Sequence, residues 1–503
     1  MRAYLLALLG GILLAVAHPK LSWSYGAFLG LALILEAQRQ APQSKGKLSF
    51  LAPWVYFTVL LYWLVPVMRN FGGLPFLAAL GVLGLLAAYL SLYWVAPLMI
   101  SHHLGLLRPH LLGALGFAAL FTFFEYLRTI VPFAFPWGLL GSSQYREIFL
   151  IQIADWGGVF AITFLLALAN YGLFALVSER RKGPFLLAIL LLFGAYFYGA
   201  WRLETSFSGP SQKIGLIQGN IPQSLKWKRE MIEETLAKYK GLSQKAAKEG
   251  AELLVWPETA VPAYLLQESP LFQELSAWMA RLKRPLILGA PRLEERNGQL
   301  VVHNSLFLLD SRGKIRGIYD KQRLVPFGEF IPFEKELPWL RKLAVASGEY
   351  SPGPRNDPLF LAPKMIFGPL ICFESIFPDL ARRQVQKGAS ILLVATNDAW
   401  FGTTAGPYQH FVQAVFRAIE NRRYLIRVAN TGISGLIDPW GRILYETPLE
   451  KEAAPCVKVN HLAYFSWYTK HGDLFAWGCL LLALFLGAKS ILGRRRRYEE
   501  EAS

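Results

Sequence analysis

The chain has 503 residues, of which 53% are hydrophobic and only 17% are charged, and its formal net charge is +17. Soluble globular domains average about 25% charged residues, so this composition excludes a simple soluble enzyme as well as a disordered chain. Three cysteines, Cys372, Cys456 and Cys479, are too few for a disulfide framework.

Long apolar runs dominate residues 1–203 and 472–493. Because a helix needs roughly 20 apolar residues to cross a bilayer, we expect about eight transmembrane spans. They lie near 3–17, 24–37, 54–68, 75–100, 110–127, 158–178, 184–202 and 472–493. The first run could also be a signal peptide, since Ala15-Val16-Ala17 resembles a cleavage site, but we favour an uncleaved span.

The distribution of basic residues predicts the orientation of these spans. Cytoplasmic loops carry an excess of Lys and Arg. With a cytoplasmic N-terminus, the inside loops hold Arg180 and Arg181, and the tail 494–503 holds four consecutive arginines. Seven spans then precede residues 211–460, which are predicted to lie outside the cytoplasm. The positive charge is therefore interpreted as membrane anchoring, and no nucleic-acid partner is expected.

Two features of the membrane region allow more than one interpretation. The aromatic loop 128–157 is either a passive interfacial loop or one wall of a lipid-binding site. Glu125, near the end of the fifth span, is either a functional polar group or an interfacial partner of Arg128.

Residues 211–460 have the pattern of a soluble α/β domain. Alternating strands and helices, followed by hairpins, predict an α/β sandwich with helices covering the sheets. Strands are expected near 213–219, 252–256, 285–290, 301–309, 315–320, 365–371, 391–396, 424–430, 433–438 and 442–446, and helices near 228–249, 270–283 and 408–422.

Three chemically active residues each follow a predicted strand: Glu258, Lys321 and Cys372. Such strand ends are where α/β folds gather their sites. A thiol must lose its proton before it attacks a carbonyl; a carboxylate can take that proton, and an ammonium group can stabilise the oxyanion. Each residue also has a structural interpretation, as a buried thiol, a cap or a solvated lysine, because sequence spacing does not prove spatial contact.

Several motifs around these residues resemble a known family. Trp256-Pro257-Glu258-Thr259, residues 321–329 and Cys372-Phe373-Glu374 resemble the Glu–Lys–Cys signature of the nitrilase superfamily. Together with residues 218–227, residues 397–402 and the predicted spans, they resemble the apolipoprotein N-acyltransferases of bacterial inner membranes. The resemblance implies an α-helical transmembrane bundle joined to a nitrilase-like αββα sandwich.

The resemblance also implies roles for individual residues. Glu258 matches the general base, Lys321 the triad lysine and Cys372 the nucleophile. The supporting positions are Glu329 as a second glutamate, Glu374 as the acid two residues after the nucleophile, Trp227 as a tryptophan near the site, Trp400 in a flexible lid, and Asn304 as a polar group behind the triad. Phe373 departs from the tyrosine often found in the family, so any role of that hydroxyl is in doubt.

The implied reaction is acyl transfer from a phosphatidylethanolamine-like phospholipid, through a cysteine thioester, to the N-terminal amine of a diacylglyceryl apolipoprotein. We expect a monomer that uses no cofactor or metal, with its catalytic domain on the periplasmic face. Residues 330–352 are predicted to form an amphipathic arm at the membrane or, alternatively, a folded surface excursion. The alternatives for function are a membrane-tethered amidase and a lipid-binding transporter or scaffold.

Overall fold

The computed structural model of the chain describes residues 1–296, 298–338 and 350–502. The chain forms two compact units. One comprises Met1–Val65, Phe76–Thr205 and Lys470–Ser503, and the other comprises Pro66–Pro75 and Ser206–Thr469. The first unit therefore holds most of the apolar sequence, and the second holds the predicted α/β domain.

The α-helices of the described residues are numbered in chain order. They are α1 (Arg2–Val16), α2 (Gly30–Gln40), α3 (Lys45–Leu60), α4 (Leu64–Asn70), α5 (Phe76–Leu104), α6 (Leu111–Ile130), α7 (Ala154–Glu179), α8 (Gly183–Leu203), α9 (Gln223–Lys226), α10 (Ile232–Lys248), α11 (Ser269–Leu282), α12 (Pro378–Gln386), α13 (Gly406–Asn421), α14 (Trp467–His471) and α15 (Leu474–Ala502).

Five helical segments in the described residues are long and apolar enough to cross a membrane, and the bent pair α3 and α4, with 55° between them, would make a sixth. The eight spans of the sequence analysis include two shorter helices. Helix α1 has 15 residues and α2 has 11, with Glu36, Gln38 and Arg39 near its end. Both are shorter than the roughly 20 residues that a bilayer requires, so a count of eight stays a prediction.

The first unit contains a buried ion pair at one of the positions left open by the sequence. Arg128 Nη1 lies 2.5 Å from Glu125 Oε1, and both side chains have no exposed surface. Trp94 Nε1 donates to the same oxygen at 2.8 Å, and the Leu140 N–H donates to Glu125 Oε2 at 2.7 Å. Glu125 therefore lies inside the helical unit, where it joins α5 and α6 to the aromatic loop.

In the described residues, the second unit is built on twelve strands in two six-stranded sheets. The first sheet has the order β12-β1-β2-β3-β4-β5 and the second the order β11-β10-β9-β8-β7-β6. The strands are β1 (Ser211–Leu216), β2 (Leu253–Val255), β3 (Leu286–Arg296), β4 (Gln299–Leu309), β5 (Ile315–Asp320), β6 (Leu359–Ala362), β7 (Met365–Ile371), β8 (Ile391–Thr396), β9 (Leu425–Ala429), β10 (Gly435–Ile437), β11 (Ile443–Glu446) and β12 (Cys456–Asn460).

Two apolar layers hold the second unit together. One lies between the sheets, where Ile214 and Val255 of the first sheet pack with Ile371 and Leu393 of the second. The other covers the outer face of the first sheet with residues of α10 and α11, including Tyr239 and Trp278. Helices α12 and α13 pack on the second sheet. The predicted α/β sandwich, with helices outside two sheets, is confirmed.

The expected arm 330–352 is described only in part. Residues 332–336 form turns, and Phe333 and Leu337 are 56% and 41% exposed. Trp339, Leu340 and Leu343 lie outside the described residues, as do the side chains of the four arginines in the tail.

Candidate active site

The three residues singled out from the sequence lie at strand ends of the second unit. Lys321 directly follows β5, Cys372 directly follows β7, and Glu258 comes three residues after β2. A close approach of two backbones fixes the Glu258 turn, since a Cβ on Gly289 of β3 would lie 2.5 Å from the Pro257 carbonyl oxygen and 2.8 Å from Glu258 Cα. A glycine is therefore required beside the turn that carries Glu258.

The carboxylate of Glu258 is buried and held from three sides. Asn304 Nδ2 donates to Oε1 at 2.7 Å, and Lys321 Nζ lies 3.3 Å from the same oxygen. The backbone N–H of Asn397, just after β8, donates to Oε2 at 2.9 Å. The carboxylate is thus oriented by groups from both sheets.

The ammonium of Lys321 lies between two carboxylates. Its Nζ is 2.9 Å from Glu329 Oε1 and 3.3 Å from Glu258 Oε1, and the side chain is 1% exposed. Burial alone would lower the pKa of Lys321, but the charges of Glu329 and Glu258 outweigh burial and hold that pKa well above its ordinary value. Lys321 therefore remains a fixed positive charge at neutral pH.

Cys372 occupies a strained turn between β7 and a short 3-10 helix, Cys372–Ile376. Its φ is +52°, a left-handed conformation that a residue with a Cβ rarely adopts and that costs of order 1–3 kcal/mol. Burial, followed by the negative charge of Glu258, raises the pKa of the Cys372 thiol, whereas Lys321 acts to lower it. The thiol is therefore protonated at neutral pH and needs a base before it can attack.

Glu374 connects the turn of Cys372 to the segment that carries Lys321. Its Oε2 accepts from the Ile371 N–H at 2.7 Å, and its Oε1 accepts from the Gln322 N–H at 2.6 Å. The Tyr319 hydroxyl also lies 3.0 Å from both oxygens. Glu374 is fully buried, and its contacts position two strand ends rather than the reacting atoms.

The aromatic residues predicted for the site have different environments. Phe373 is buried and packs edge-on against Phe377 at 5.1 Å between ring centroids. Trp227 follows α9 and is 50% exposed. Trp400 lies in the 3-10 helix Asp398–Phe401, and its ring meets that of Phe71 at 4.8 Å. Glu258, Lys321, Glu329 and Asn304 form one hydrogen-bonded network, and among the described residues no hydrogen bond or ring contact joins Trp227 or Trp400 to that network.

A second buried lysine escaped the sequence analysis. Lys226 Nζ donates to the Glu258 carbonyl oxygen at 3.0 Å and to Thr259 Oγ1 at 2.6 Å. Burial lowers the pKa of Lys226 to about 8, although the charge of Glu258 acts against that shift. The only signal in the sequence was its position beside Trp227, because the contacts join residues more than 30 positions apart.

A buried network on the other side of Cys372 was also missed. Asp398 Oδ1 lies 2.9 Å from His410 Nδ1, and Asp398 Oδ2 lies 2.6 Å from Arg427 Nη2. His410 Nε2 lies 3.1 Å from the Cys372 carbonyl oxygen. These residues come from the segment after β8, from α13 and from β9, so no local motif brings them together.

One group of described side chains has the spacing of a metal site. Ligand atoms of Cys372, Asp398 and His410 lie within 4.8 Å of one another. The guanidinium of Arg427 already neutralises Asp398, and both ring nitrogens of His410 have hydrogen-bonding partners within 3.1 Å. This donor set fits a protein hydrogen-bond network better than a bound cation.

Comparison with known proteins places this geometry in a family. Residues 213–460 match the carbon-nitrogen hydrolase family, and residues 10–172 match the apolipoprotein N-acyltransferase N-terminal domain. Among solved structures, a carbon-nitrogen hydrolase from Helicobacter pylori is 17% identical, with a TM-score of 0.40 over 50% of this chain and 90% of that chain.

Full-length relatives are more similar. An apolipoprotein N-acyltransferase from Geobacter metallireducens is 39% identical over 97% of this chain and 95% of its own length. Another from Azotobacter vinelandii is 33% identical over 98% of this chain and 95% of its own length. The resemblance stated from the sequence motifs is confirmed, and the chain belongs to the apolipoprotein N-acyltransferase family.

Proposed function

We propose that this protein transfers a fatty acyl chain from a membrane phospholipid to the N-terminal amine of a diacylglyceryl apolipoprotein. The observation that carries the proposal is the buried contact network of Glu258, Lys321 and Glu329, in which the charges of Glu258 and Lys321 act on the thiol of Cys372. A thiol beside a base and a cation is suited to form an acyl intermediate. Full-length similarity to acyltransferases supports transfer over hydrolysis.

In the first half-reaction, Glu258 takes the thiol proton as Cys372 Sγ attacks the ester carbonyl carbon of the phospholipid. The bond from that carbon to the glycerol oxygen breaks, and Glu258 returns the proton to the departing alkoxide. The products are a thioester on Cys372 and a lysophospholipid.

In the second half-reaction, the apolipoprotein amine attacks the thioester carbonyl. An amide bond forms, the carbon–sulfur bond breaks, and Glu258 accepts the proton that the amine loses. The thiolate of Cys372 then recovers a proton through Glu258, so the enzyme returns to its starting state.

Lys321 and the backbone stabilise the negative charge that develops on the carbonyl oxygen in both steps. Lys321 is suited to this role because Glu329 and Glu258 keep it charged without freeing it from the site. We assign the second stabilising donor to the N–H of Phe373, which directly follows the nucleophile. Preorganised donors of this kind supply the largest share of catalysis in many acyl-transfer enzymes.

Exposed apolar side chains near the site support a lipid substrate. Phe327 lies between Lys321 and Glu329 in sequence and is 48% exposed, and Trp227 is 50% exposed beside buried Lys226. Phe333 follows at 56% exposure. We propose that these residues, with the arm 330–352, contact the acyl chain or the membrane surface.

The protein is a membrane protein, and we propose a specific topology for it. The N-terminus and the tail 494–503 lie in the cytoplasm, residues 1–203 and 472–493 span the inner membrane, and the domain 211–460 faces the periplasm. In this topology the site faces the leaflet that holds both substrates. We propose that a phosphatidylethanolamine-like lipid is the donor and that the enzyme works as a monomer without a cofactor.

The proposal predicts a stable covalent adduct. Purified enzyme incubated with phosphatidylethanolamine alone should gain the mass of one acyl group, and peptide mapping should place it on Cys372. The Cys372→Ala variant should stay folded, gain no mass and transfer nothing. Addition of a diacylglyceryl peptide should discharge the adduct. Absence of any adduct on the wild-type enzyme would contradict the proposal, and release of ammonia from small amides would favour an amidase.

A further inference from the structure

The peptide bond between Cys372 and Phe373 has two functional ends. Its N–H, on Phe373, is the donor assigned above to the oxyanion. Its C=O, on Cys372, lies on the opposite side of the same planar group. Anything that binds the carbonyl oxygen therefore also fixes the direction of the N–H.

Two side chains bind that carbonyl oxygen. Ser375 Oγ donates to it at 2.8 Å, and His410 Nε2 lies 3.1 Å from it. Ser375 Oγ also lies 3.0 Å from His410 Nε2. Because a carbonyl oxygen can only accept, the contact with His410 requires the proton on Nε2.

The rest of the network holds the His410 ring in this orientation. Nδ1 lies 2.9 Å from Asp398 Oδ1 and 3.0 Å from Arg427 Nη2. Arg427 can donate to Nδ1 when the ring is neutral, and Asp398 can accept from it when the ring is charged. Asp398 is itself fixed by Thr396 Oγ1 at 2.9 Å. The donor at Nε2 is therefore available in either protonation state.

The position of the network also explains how a strained turn persists. Cys372 has a φ of +52°, and such a conformation survives only where the surroundings hold it on several sides. Glu374 holds the Ile371 N–H before the nucleophile at 2.7 Å, and His410 and Ser375 hold the carbonyl after it. Hydrogen bonds to a peptide carbonyl in a low-dielectric interior also polarise its N–H and strengthen it as a donor.

We propose that His410 is a positioning residue for the oxyanion-binding peptide: with Ser375, and oriented by Asp398 and Arg427, it aims and polarises the Cys372–Phe373 peptide toward the developing oxyanion. This inference deepens the proposed function and rests on it for the identity of the nucleophile and for the Phe373 N–H as an oxyanion donor. It assigns a role in acyl transfer to a buried histidine outside the set of Glu258, Lys321 and Cys372.

The test compares two reactions of the same sulfur. Acylation of Cys372 passes through an oxyanion, whereas alkylation by iodoacetamide does not. Acylation is followed as the initial burst of p-nitrophenol released from a short p-nitrophenyl ester. The result therefore does not depend on the identity of the lipid donor. Alkylation is followed by mass spectrometry of the peptide that contains Cys372. Both rates are measured on the full-length enzyme and on the variants His410→Leu, His410→Gln and Ser375→Ala.

We expect His410→Leu to slow acylation about 10-fold or more while alkylation stays within about 2-fold of wild type, since only acylation needs the oxyanion donor. His410→Gln retains a terminal N–H donor and should recover a substantial part of the acylation rate. Ser375→Ala should slow acylation by a smaller factor. The matched control is His461→Leu, because His461 is a buried histidine of the same unit that bonds Ser390 and Gln212 instead.

Two outcomes would overturn the inference. One is acylation at the wild-type rate in folded His410→Leu. The other is an equal loss of acylation and alkylation in His410→Leu and Ser375→Ala, which would mean that the network only places the sulfur. If His410→Leu does not fold, the ratio of the acylation rate to the alkylation rate in Ser375→Ala and His410→Gln tests the inference instead. Failure of the proposed function would appear separately, as a wild-type enzyme that reacts with the activated ester but not with phospholipid.

Discussion

The thiol of Cys372 lies in the field of charged groups with opposite effects on its ionisation. Burial raises the pKa of the thiol most, the charges of Glu258 and Asp398 also raise it, and the charge of Lys321 lowers it. In the proposed mechanism this arrangement keeps the thiol unreactive until an ester occupies the site and the base removes the proton. The contributions of Glu258 and Lys321 should be separable by experiment.

Alkylation of Cys372 as a function of pH should distinguish the two charges. Glu258→Gln removes the negative charge that raises the pKa of the thiol, so the midpoint of the alkylation profile should fall by about 1 pH unit or more. Lys321→Met removes the positive charge that lowers the pKa of the thiol, so the midpoint of the alkylation profile should rise. Both variants should lose acyl transfer.

The control for the pH experiment is Glu268→Gln, which removes a partly buried carboxylate from a position just before α11. Its midpoint should match that of the wild type. Shifts in the same direction for Glu258→Gln and Lys321→Met would contradict the electrostatic account of the site.

Sequence reasoning at the residue scale relies on chemically active residues that follow a strand end. Glu258, Lys321 and Cys372 each come within three residues of a strand, and the motifs that carry the family resemblance surround them. Lys226 and His410 could not be found this way. Their partners are 32 and 38 positions distant in sequence, and a lone lysine or histidine on a helix is more often a surface or core residue.

At the scale of elements, the 3-10 helix Asp398–Phe401 is the point where several site contacts meet. Asn397, just before it, binds Glu258, and Asp398, its first residue, binds His410. Its third residue, Trp400, packs edge-on against Phe71 with 72° between the ring planes. The contact with Phe71 should therefore restrain the flexible lid that the family resemblance implies around Trp400.

Replacement of that aromatic contact should loosen the element. Phe71→Ala removes a ring pair worth about 0.5–1.5 kcal/mol, so amide exchange across residues 398–406 should become faster by a few-fold to about 10-fold. The measurement is hydrogen exchange read by mass spectrometry. Phe360→Ala, at a 54% exposed phenylalanine on the edge strand β6, is the matched control and should leave exchange in 398–406 unchanged. Equal effects of the two variants would refute a specific role for Phe71.

The strands show why element prediction succeeded in part. Strand β8 begins and ends where the sequence predicts it, because it is a continuous run of apolar and β-branched residues. Strand β5 also has its predicted bounds, although Arg316, Gly317 and Asp320 interrupt its apolar pattern. Strands β6 and β12, and helix α12, were not predicted. The two strands are only four and five residues long and lie on sheet edges, so their periodic signals are weak. Helix α12 is amphipathic but has only nine residues, which is shorter than the window over which a helical period is recognised.

At the scale of the whole molecule, apolar composition predicts a helical part and an α/β part, and the structure has two compact units that differ from that division at Pro66–Pro75. Composition could not decide how many helices cross the membrane, because α1 is as apolar as the longer helices but has only 15 residues, and α2 has only 11 residues and ends in polar side chains. The orientation that the basic residues predict is open to labelling from the two sides of the membrane.

Accessibility labelling tests the proposed orientation. In a chain whose three cysteines are replaced, Lys248→Cys introduces a thiol at an exposed position at the end of α10. This thiol should react with a membrane-impermeant maleimide in intact spheroplasts. Arg181→Cys, at an exposed position between α7 and α8, should react only after permeabilisation. The reverse pattern would invert the topology and exclude a periplasmic site.

The grouping of Pro66–Pro75 with Ser206–Thr469 carries a practical consequence for anyone who dissects this enzyme. A soluble fragment cut at the boundary that composition suggests would lack the ten residues Pro66–Pro75, which belong to the same compact unit. It would also lack the ring of Phe71 that packs against Trp400. Such a fragment would retain Glu258, Lys321 and Cys372 and still represent the intact enzyme poorly. The missing segment of its fold lies more than 130 residues upstream in the sequence.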